Sequence, residues 1–217
     1  MTTIADLAQE ITDIIQDNEV TANVVDVINA GIKDAAGRVL IPELEVIDDI
    51  DTTAGVNYVA MPSDFQRQLG RWAYNTETNL RITVYPSTVQ LFRQVSKLDL
   101  EGNVFAIARQ GRNLFYQRVP GSAQTLKIQY FKLPDTYTEG EPECLPAHLH
   151  TDLLVNYCCW KYWTKIEDGE DGRKPNSAMH KALYDEAIAN LQAFIGPYSD
   201  IPIEPVDELL YQTVWDY

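Results

Sequence analysis

The residue types that most often bind metal ions or act as nucleophiles are few in this 217-residue chain. They are three cysteines and three histidines: Cys144, Cys158, Cys159, His148, His150 and His180. Zinc ligands usually recur at helical spacings of three or four residues, or as a C-x₂₋₄-C pair. His148 and His150 are two residues apart, so on a helix they point about 200° away from each other. The spacing therefore predicts no metal site and no cofactor, and the cysteines are expected to be free, with the adjacent Cys158 and Cys159 buried.

A polar stripe is expected on the helix that carries these residues. His148, Asp152 and Asn156 lie at positions i, i+4 and i+8, and a histidine beside an aspartate can act as an acid–base pair. No nucleophile accompanies the pair, because the sequence has no G-x-S-x-G motif, and it has neither a P-loop nor a G-x-G-x-x-G motif. We therefore predict a solvent-facing or interface stripe and no catalytic residue. A small metal-dependent or hydrolytic enzyme is the alternative.

Charge is distributed unevenly along the chain. There are 17 Lys and Arg residues against 32 Asp and Glu, a net charge of −15. Residues 65–133 hold ten bases and three acids, which gives +7, and the rest holds seven bases and 29 acids, which gives −22. An acidic body beside a basic face suits assembly of copies, each basic face meeting a neighbour's acidic one. The candidate basic residues are Arg109, Arg112, Arg118, Lys127 and Lys132.

The overall acidity excludes a protein that wraps nucleic acid through many phosphate contacts, because such binding needs a basic footprint. A module that binds nucleic acid with its basic sheet is a further alternative, disfavoured because the bases are spread over several strands. The longest stretch without a formal charge, 187–199, has 13 residues, whereas a spanning helix needs about 20 apolar residues. We expect no membrane segment, and the free thiols and acidic N-terminal region predict synthesis in the cytoplasm.

Hydrophobic periodicity predicts two helices at each end of the chain. The first begins at a Thr3–Asp6 capping box, and the second runs from about Thr21 to Pro42. The other two run from Pro146 to Ile166 and from Asn176 to Phe194. The residues of the last helix that are expected to face inward are Met179, Leu183, Ala187, Leu191 and Phe194.

The middle of the chain has the alternation and turn residues of β-structure. Strands are predicted at 58–61, 68–74, 80–85, 104–109, 114–119 and 125–132, with one short helix at 88–98. The fold class is therefore α+β, a helical bundle with an inserted antiparallel sheet and an extended C-terminal arm. The corresponding domains are a discontinuous helical body (1–57 and 134–197), a β-rich insertion (58–133) and the arm (198–217).

The arm has an unusual composition. It carries five acids and no base, together with apolar and aromatic residues that a solvated linker would lack. Either it packs on its own domain or it binds a neighbouring protein. Its candidate anchors are Leu209, Leu210, Tyr211, Trp215 and Tyr217, since aromatic residues are common interface hot spots.

Three sequence segments carry a resemblance to a known family. They are Tyr58-x-x-Met61-Pro62-x-Asp64-Phe65-x-Arg67, the strand end Tyr130-x-x-Leu133-Pro134, and Glu141-Pro142-Glu143-Cys144-Leu145-Pro146 before a helix rich in Tyr and Trp. Over roughly residues 1–195, the chain resembles the head-to-tail adaptor (connector, or neck) proteins of tailed bacteriophages, including the podovirus tubular adaptor.

This resemblance implies a structural protein of the virion neck that is not an enzyme. Its relatives form a ring, typically of twelve copies, that docks beneath the portal, receives the tail or nozzle, and lets DNA pass without sequence-specific contact. The resemblance implies that the arm docks on the portal and that the basic sheet faces either the tail or the neighbouring subunit.

Overall fold

The computed structural model describes residues 2–17, 19, 21–93, 100–167 and 174–196. For residues 68–72 it describes the backbone but not the side chains. The chain begins with helices α1 (Ile4–Ile15) and α2 (Val24–Arg38). The predicted capping box is present: the Asp6 N–H donates to the Thr3 hydroxyl, and the Thr3 N–H donates to the Asp6 carboxylate. Each bond satisfies a backbone donor that has no partner within the helix, which fixes where α1 begins.

The described residues of the β-rich part form eight strands and one short helix. They are β1 (Glu45–Asp51), β2 (Tyr58–Ala60), β3 (Phe65–Asn75), β4 (Leu80–Arg81), β5 (Thr83–Tyr85), α3 (Thr88–Arg93), β6 (Ala106–Gln110), β7 (Asn113–Gln117) and β8 (Thr125–Lys132). The strands form two four-stranded sheets, with orders β1-β8-β3-β4 and β2-β7-β6-β5. The first is antiparallel, whereas the second contains the parallel pair β5–β6. The α+β class is confirmed, and the expected single sheet is divided into two.

Strand β1 was not predicted from the sequence. It pairs with β8 along its whole length, from Glu45 opposite Phe131 to Asp51 opposite Thr125. Its sequence, EVIDDID, contains four acids, and most of its side chains are exposed or half-buried. Acidic residues disfavour strands in isolation, so the pairing with β8 decides its structure.

The chain returns to helix after β8. A 3₁₀ turn (Ala147–Leu149) and a π-helical turn (Thr151–Val155) lead into α4 (Asn156–Ile166), and α5 (Pro175–Ile195) follows. The buried face of α5 differs from the prediction: Met179, Leu183 and Phe194 are 51%, 41% and 61% exposed. The face that is buried consists of Ser177, His180, Tyr184, Ala187, Ile188 and Leu191. The helix is therefore rotated by about one residue from the expected orientation.

Strand β8 connects two hydrophobic cores. Leu126, Ile128 and Tyr130 belong to the core between the sheets, whereas Phe131 belongs to the helical core with residues of α1, α2, α4 and α5. Because successive strand residues point to opposite faces, one strand can serve both cores. This position makes β8 the link between the helices and the sheets.

Candidate functional site

The three cysteines are buried free thiols. Burial raises the pKa of Cys144, raises that of Cys159 to about 12, and raises that of Cys158 well above its usual value. A thiol reacts and binds metal as the thiolate, so this environment opposes both kinds of chemistry. The cysteines act as small apolar residues of the helical core.

The predicted polar stripe is divided among different partners. The exposed His148 ring packs edge-on against Phe194, with 4.9 Å between ring centroids. Asn156 instead faces His180, with 3.0 Å between Oδ1 and Nδ1, and its amide nitrogen donates to the Asp152 carbonyl. Burial lowers the pKa of His180.

These contacts do not assemble a reactive centre from the stripe. A histidine bonded to an amide has no carboxylate to stabilise its protonated form. Within the described parts of the chain, no group of three or more His, Cys, Asp or Glu side chains is arranged to hold a metal ion.

The five candidate basic residues lie on two different sheets. Arg109 (in β6), Arg112 (at the β6–β7 turn) and Arg118 (after β7) are exposed and belong to the second sheet. The Arg109 guanidinium lies 5.0 Å from the centre of the Phe65 ring, and Arg118 lies 6.0 Å from that of Phe105. Stacking on an aromatic face holds a cation in place and leaves its edges free to bind an anionic partner.

Lys127 and Lys132 differ from these arginines. Both lie on β8 of the first sheet and make ion pairs within the chain. Lys127 Nζ is 3.6 Å from Asp49, and Lys132 Nζ is 3.1 Å from Asp135. The structure therefore places Arg109, Arg112 and Arg118 in or beside strands β6 and β7, with Arg112 and Arg118 at opposite ends of β7, and separates the two lysines from them. We call these three exposed residues the arginine surface.

An acidic groove lies between the edge strands β1 and β2, and the sequence analysis missed it. Its volume is about 550 Å³, and its acidic residues are Asp48, Asp49, Asp51 and Asp64. The Tyr130 hydroxyl is 2.9 Å from Asp64 and 3.4 Å from Asp48. Burial and then the bond to Asp64 raise the pKa of Tyr130. The groove depends on β1, a strand that the local sequence pattern does not predict.

A second cleft lies where α2 and α5 end. Its volume is about 530 Å³, and it is lined by Arg38, Val39, Leu40, Arg67, Gln192, Ala193, Ile195 and Gly196. Arg38 makes ion pairs with Asp34 (2.6 Å) and Asp185 (3.3 Å). The Arg67 guanidinium donates from Nη1 to the Gly37 carbonyl, at 2.8 Å. We call this site the Arg67 cleft.

The five predicted arm anchors, Leu209, Leu210, Tyr211, Trp215 and Tyr217, lie outside the described residues. In the described part of the chain, none of the helices is both long enough and apolar enough to cross a membrane.

Comparison with known proteins identifies the family. The model of one family, SU10 adaptor protein, matches residues 2–199. The chain belongs to the SU10 adaptor protein family. Because this is a phage adaptor family, the resemblance to head-to-tail adaptors is confirmed, and the chain is a structural component of the virion. A comparison with curated proteins gave no match.

Proposed function

We propose that the chain is the subunit of a neck ring that joins the portal to the tail or nozzle and surrounds the channel through which DNA leaves the head. The observation that carries this proposal is the match to the SU10 adaptor family over residues 2–199. The ring has twelve copies, as the resemblance to head-to-tail adaptors implies. The division into helical body, β-rich insertion and arm belongs to the same proposal.

The charge of the protein supports a channel that DNA passes through without binding. With a net charge of −15, the chain as a whole repels phosphate. Each Lys–phosphate or Arg–phosphate contact would add a salt-dependent interaction that slows the genome. The residues that line the channel are therefore expected to come from the acidic helical body.

The arginine surface supports contact with a neighbouring copy or with the tail. Arg109, Arg112 and Arg118 are exposed, whereas the acids greatly outnumber the bases elsewhere in the chain. Complementary charge of this kind guides the orientation and rate of association more than it adds to affinity. Lys127 and Lys132 contribute less, because their charges are already paired with Asp49 and Asp135.

Native mass spectrometry of the full chain, alone and mixed with a portal protein, tests the ring. We expect an assembly of many copies, formed alone or on the portal. A strict monomer under both conditions would contradict the proposal. The same spectra give the number of copies and check the value of twelve.

The arm is proposed to dock on the portal through Leu209, Leu210, Tyr211, Trp215 and Tyr217. A chain that ends after Glu204 lacks all five residues and keeps every residue that the structure describes. We expect it to unfold at the same urea concentration as the full chain and to lose portal binding. The matched control is the full chain with Asp207→Asn and Glu208→Gln, which changes arm charge but keeps the anchors and should still bind. A truncated chain that unfolds earlier would show that the arm packs on its own domain.

A further inference from the structure

Two lysines, one on α4 and one on α5, meet at a tryptophan ring on the surface of the helical body. Lys161 Nζ lies 3.8 Å from the centre of the Trp160 ring, and Lys181 Nζ lies 5.9 Å from it. Lys181 is exposed, and Lys161 and Trp160 are half-buried. Contact with an aromatic ring restrains an ammonium group, so less entropy is lost when a partner binds it. We call Lys161 and Lys181 the lysine surface.

The lysine surface is not neutralised by acids of its own chain. Arg38, on the neighbouring helix α2, makes ion pairs with Asp34 and Asp185. Among the residues that the structure describes, no carboxylate makes an ion pair with Lys161 or Lys181. Their charges are therefore available to carboxylates of another protein, and the partner of this surface is expected to be acidic.

Helix α1 has the complementary charge. Residues 1–19 contain five acids and no Lys or Arg. Asp6, Glu10 and Asp13 are spaced by four and three residues, so they share one face of α1, which we call the acidic face. Asp6 and Asp13 are exposed and Glu10 is half-buried, whereas Leu7 and Ile11 of the opposite face are buried in the helical core. No described base makes an ion pair with the acidic face.

The lysine surface and the acidic face lie on different sides of the helical body. Helices α1 and α5, all of whose residues are described, each pack against α4 and are not packed against each other. Contact between two lysine surfaces, or between two acidic faces, would oppose like charges. Complementary surfaces in different places on one subunit favour head-to-tail association, which gives a ring when the rotation between copies closes.

We propose that the lysine surface binds the acidic face of α1 in the next copy of the chain. The inference rests on the proposed ring and names a contact between its subunits in the helical body, separate from the arginine surface of the second sheet. Glu10 and Asp13 supply the carboxylates. Trp160 lies between the two lysines and belongs to the residue type that contributes most to binding at interfaces, so it is expected at the centre of the contact.

Charge reversal in the full chain tests the contact. The first variant carries Lys161→Glu and Lys181→Glu, and the second carries Glu10→Lys and Asp13→Lys. Each places like charges opposite one another, so each should need at least about tenfold more protein than the wild type to assemble in native mass spectrometry. A chain with all four substitutions should assemble as the wild type does, because the charges are exchanged. Normal assembly of either variant, or failure of the four-substitution chain to assemble, would overturn the proposal.

The matched control combines Lys161→Glu and Lys181→Glu with Glu77→Lys and Glu101→Lys, two exposed acids of the β-rich part. It has the same net charge as the wild type and the four-substitution chain, but it should not assemble. If it assembles normally, net charge controls association and the proposed contact is wrong. A wild type that stays monomeric with and without a portal protein would instead contradict the ring itself.

Cross-linking tests the same contact without charge reversal. Asp13→Cys and Lys181→Cys each place a thiol at an exposed position, whereas the three native cysteines are buried. With a flexible bis-maleimide, the double variant should give a ladder of linked copies, and each single variant should remain unlinked. Dimers of a single variant would show that like surfaces meet and would overturn the head-to-tail contact. Links to the portal without a ladder would assign the lysine surface to the portal and overturn the contact between copies.

Discussion

Gly31 is a residue of α2 at which α4 comes very close. A Cβ atom at this position would lie 2.9 Å from Cδ1 of Tyr157. Tyr157 is buried and its ring contacts Tyr184 and Trp160, at 5.2 and 5.8 Å between centroids, so it has little room to move. Glycine therefore allows the two helices to pack at this distance.

We expect Gly31→Ala to lower the free energy of unfolding by about 1 kcal/mol. Overpacking costs about 1–3 kcal/mol, and replacing a helical glycine by alanine returns about 1 kcal/mol. Gly37→Ala is the matched control in the same helix, because its Cβ would meet no atom within 4 Å, and it should stabilise by up to about 1 kcal/mol. Urea unfolding measures both variants, and equal stabilisation by the two would contradict the close contact.

His180 makes stability depend on pH. Its pKa is lowered by burial in the fold, whereas an unfolded histidine takes up a proton near pH 6.5. Below that pH the unfolded state binds more protons than the folded state, so the free energy of unfolding decreases as the pH falls. Urea midpoints at pH 7.5 and 5.5 should differ more for the wild type than for His180→Gln. His148→Gln, which removes an exposed histidine, should lose as much stability between pH 7.5 and 5.5 as the wild type does. If His180→Gln also loses as much stability as the wild type, His180 does not have this role.

Helix α5 provides a prediction at the level of a whole element, because its observed orientation separates residues that look equivalent in the sequence. Leu191 is fully buried in the helical core, whereas Leu183 is 41% exposed. Leu191→Ala should cost about 2–5 kcal/mol, the usual range for a buried leucine. Leu183→Ala should cost about 1 kcal/mol, since Leu183 is partly exposed and loses less apolar contact than Leu191. If the two variants lose comparable free energy of unfolding, both leucines face the core, as the sequence predicted, and the observed orientation of α5 is contradicted.

Local signals in the sequence were sufficient for some elements. The Thr3–Asp6 capping box correctly placed the start of α1, and strict alternation gave the bounds of β8. Both depend on neighbours a few residues away, which the sequence displays directly. The same is true of the Gln110–Asn113 turn, where Gly111 has a φ of 62° and joins β6 to β7.

Other features depend on contacts between distant residues. Strand β1 is stabilised by pairing with β8, about 80 residues later, and the acidic groove exists only because β1 and β2 come together. The orientation of α5 is set by the Tyr184 ring, which packs among Tyr157 and Trp160 and whose hydroxyl donates to Asp34 at 2.7 Å. Nothing in the sequence around Arg67 indicates that its guanidinium is buried. These interactions follow from tertiary packing, so local periodicity could not reveal them.

At the scale of the whole molecule, the separation of charge predicts how copies of the chain meet. Arg112 is exposed at the β6–β7 turn, whereas Lys132 is engaged by Asp135 at 3.1 Å. Arg112→Gln and Lys132→Gln each remove one positive charge, but only Arg112 is expected to lose a contact with an acidic neighbour. Because an exposed ion pair contributes about 0.2–1 kcal/mol, Arg112→Gln should weaken association by up to about fivefold per contact.

Sedimentation or native mass spectrometry at increasing salt measures this difference between Arg112→Gln and Lys132→Gln. At low salt, the Arg112 variant should assemble at a higher protein concentration than either the wild type or the Lys132 variant. At about 1 M salt the Debye length falls to about 3 Å, so the three proteins should converge. Equal assembly of both variants at low salt would exclude Arg112 from the contact. A larger effect of Lys132→Gln would show that the interface lies at β8 of the first sheet and not at the second sheet.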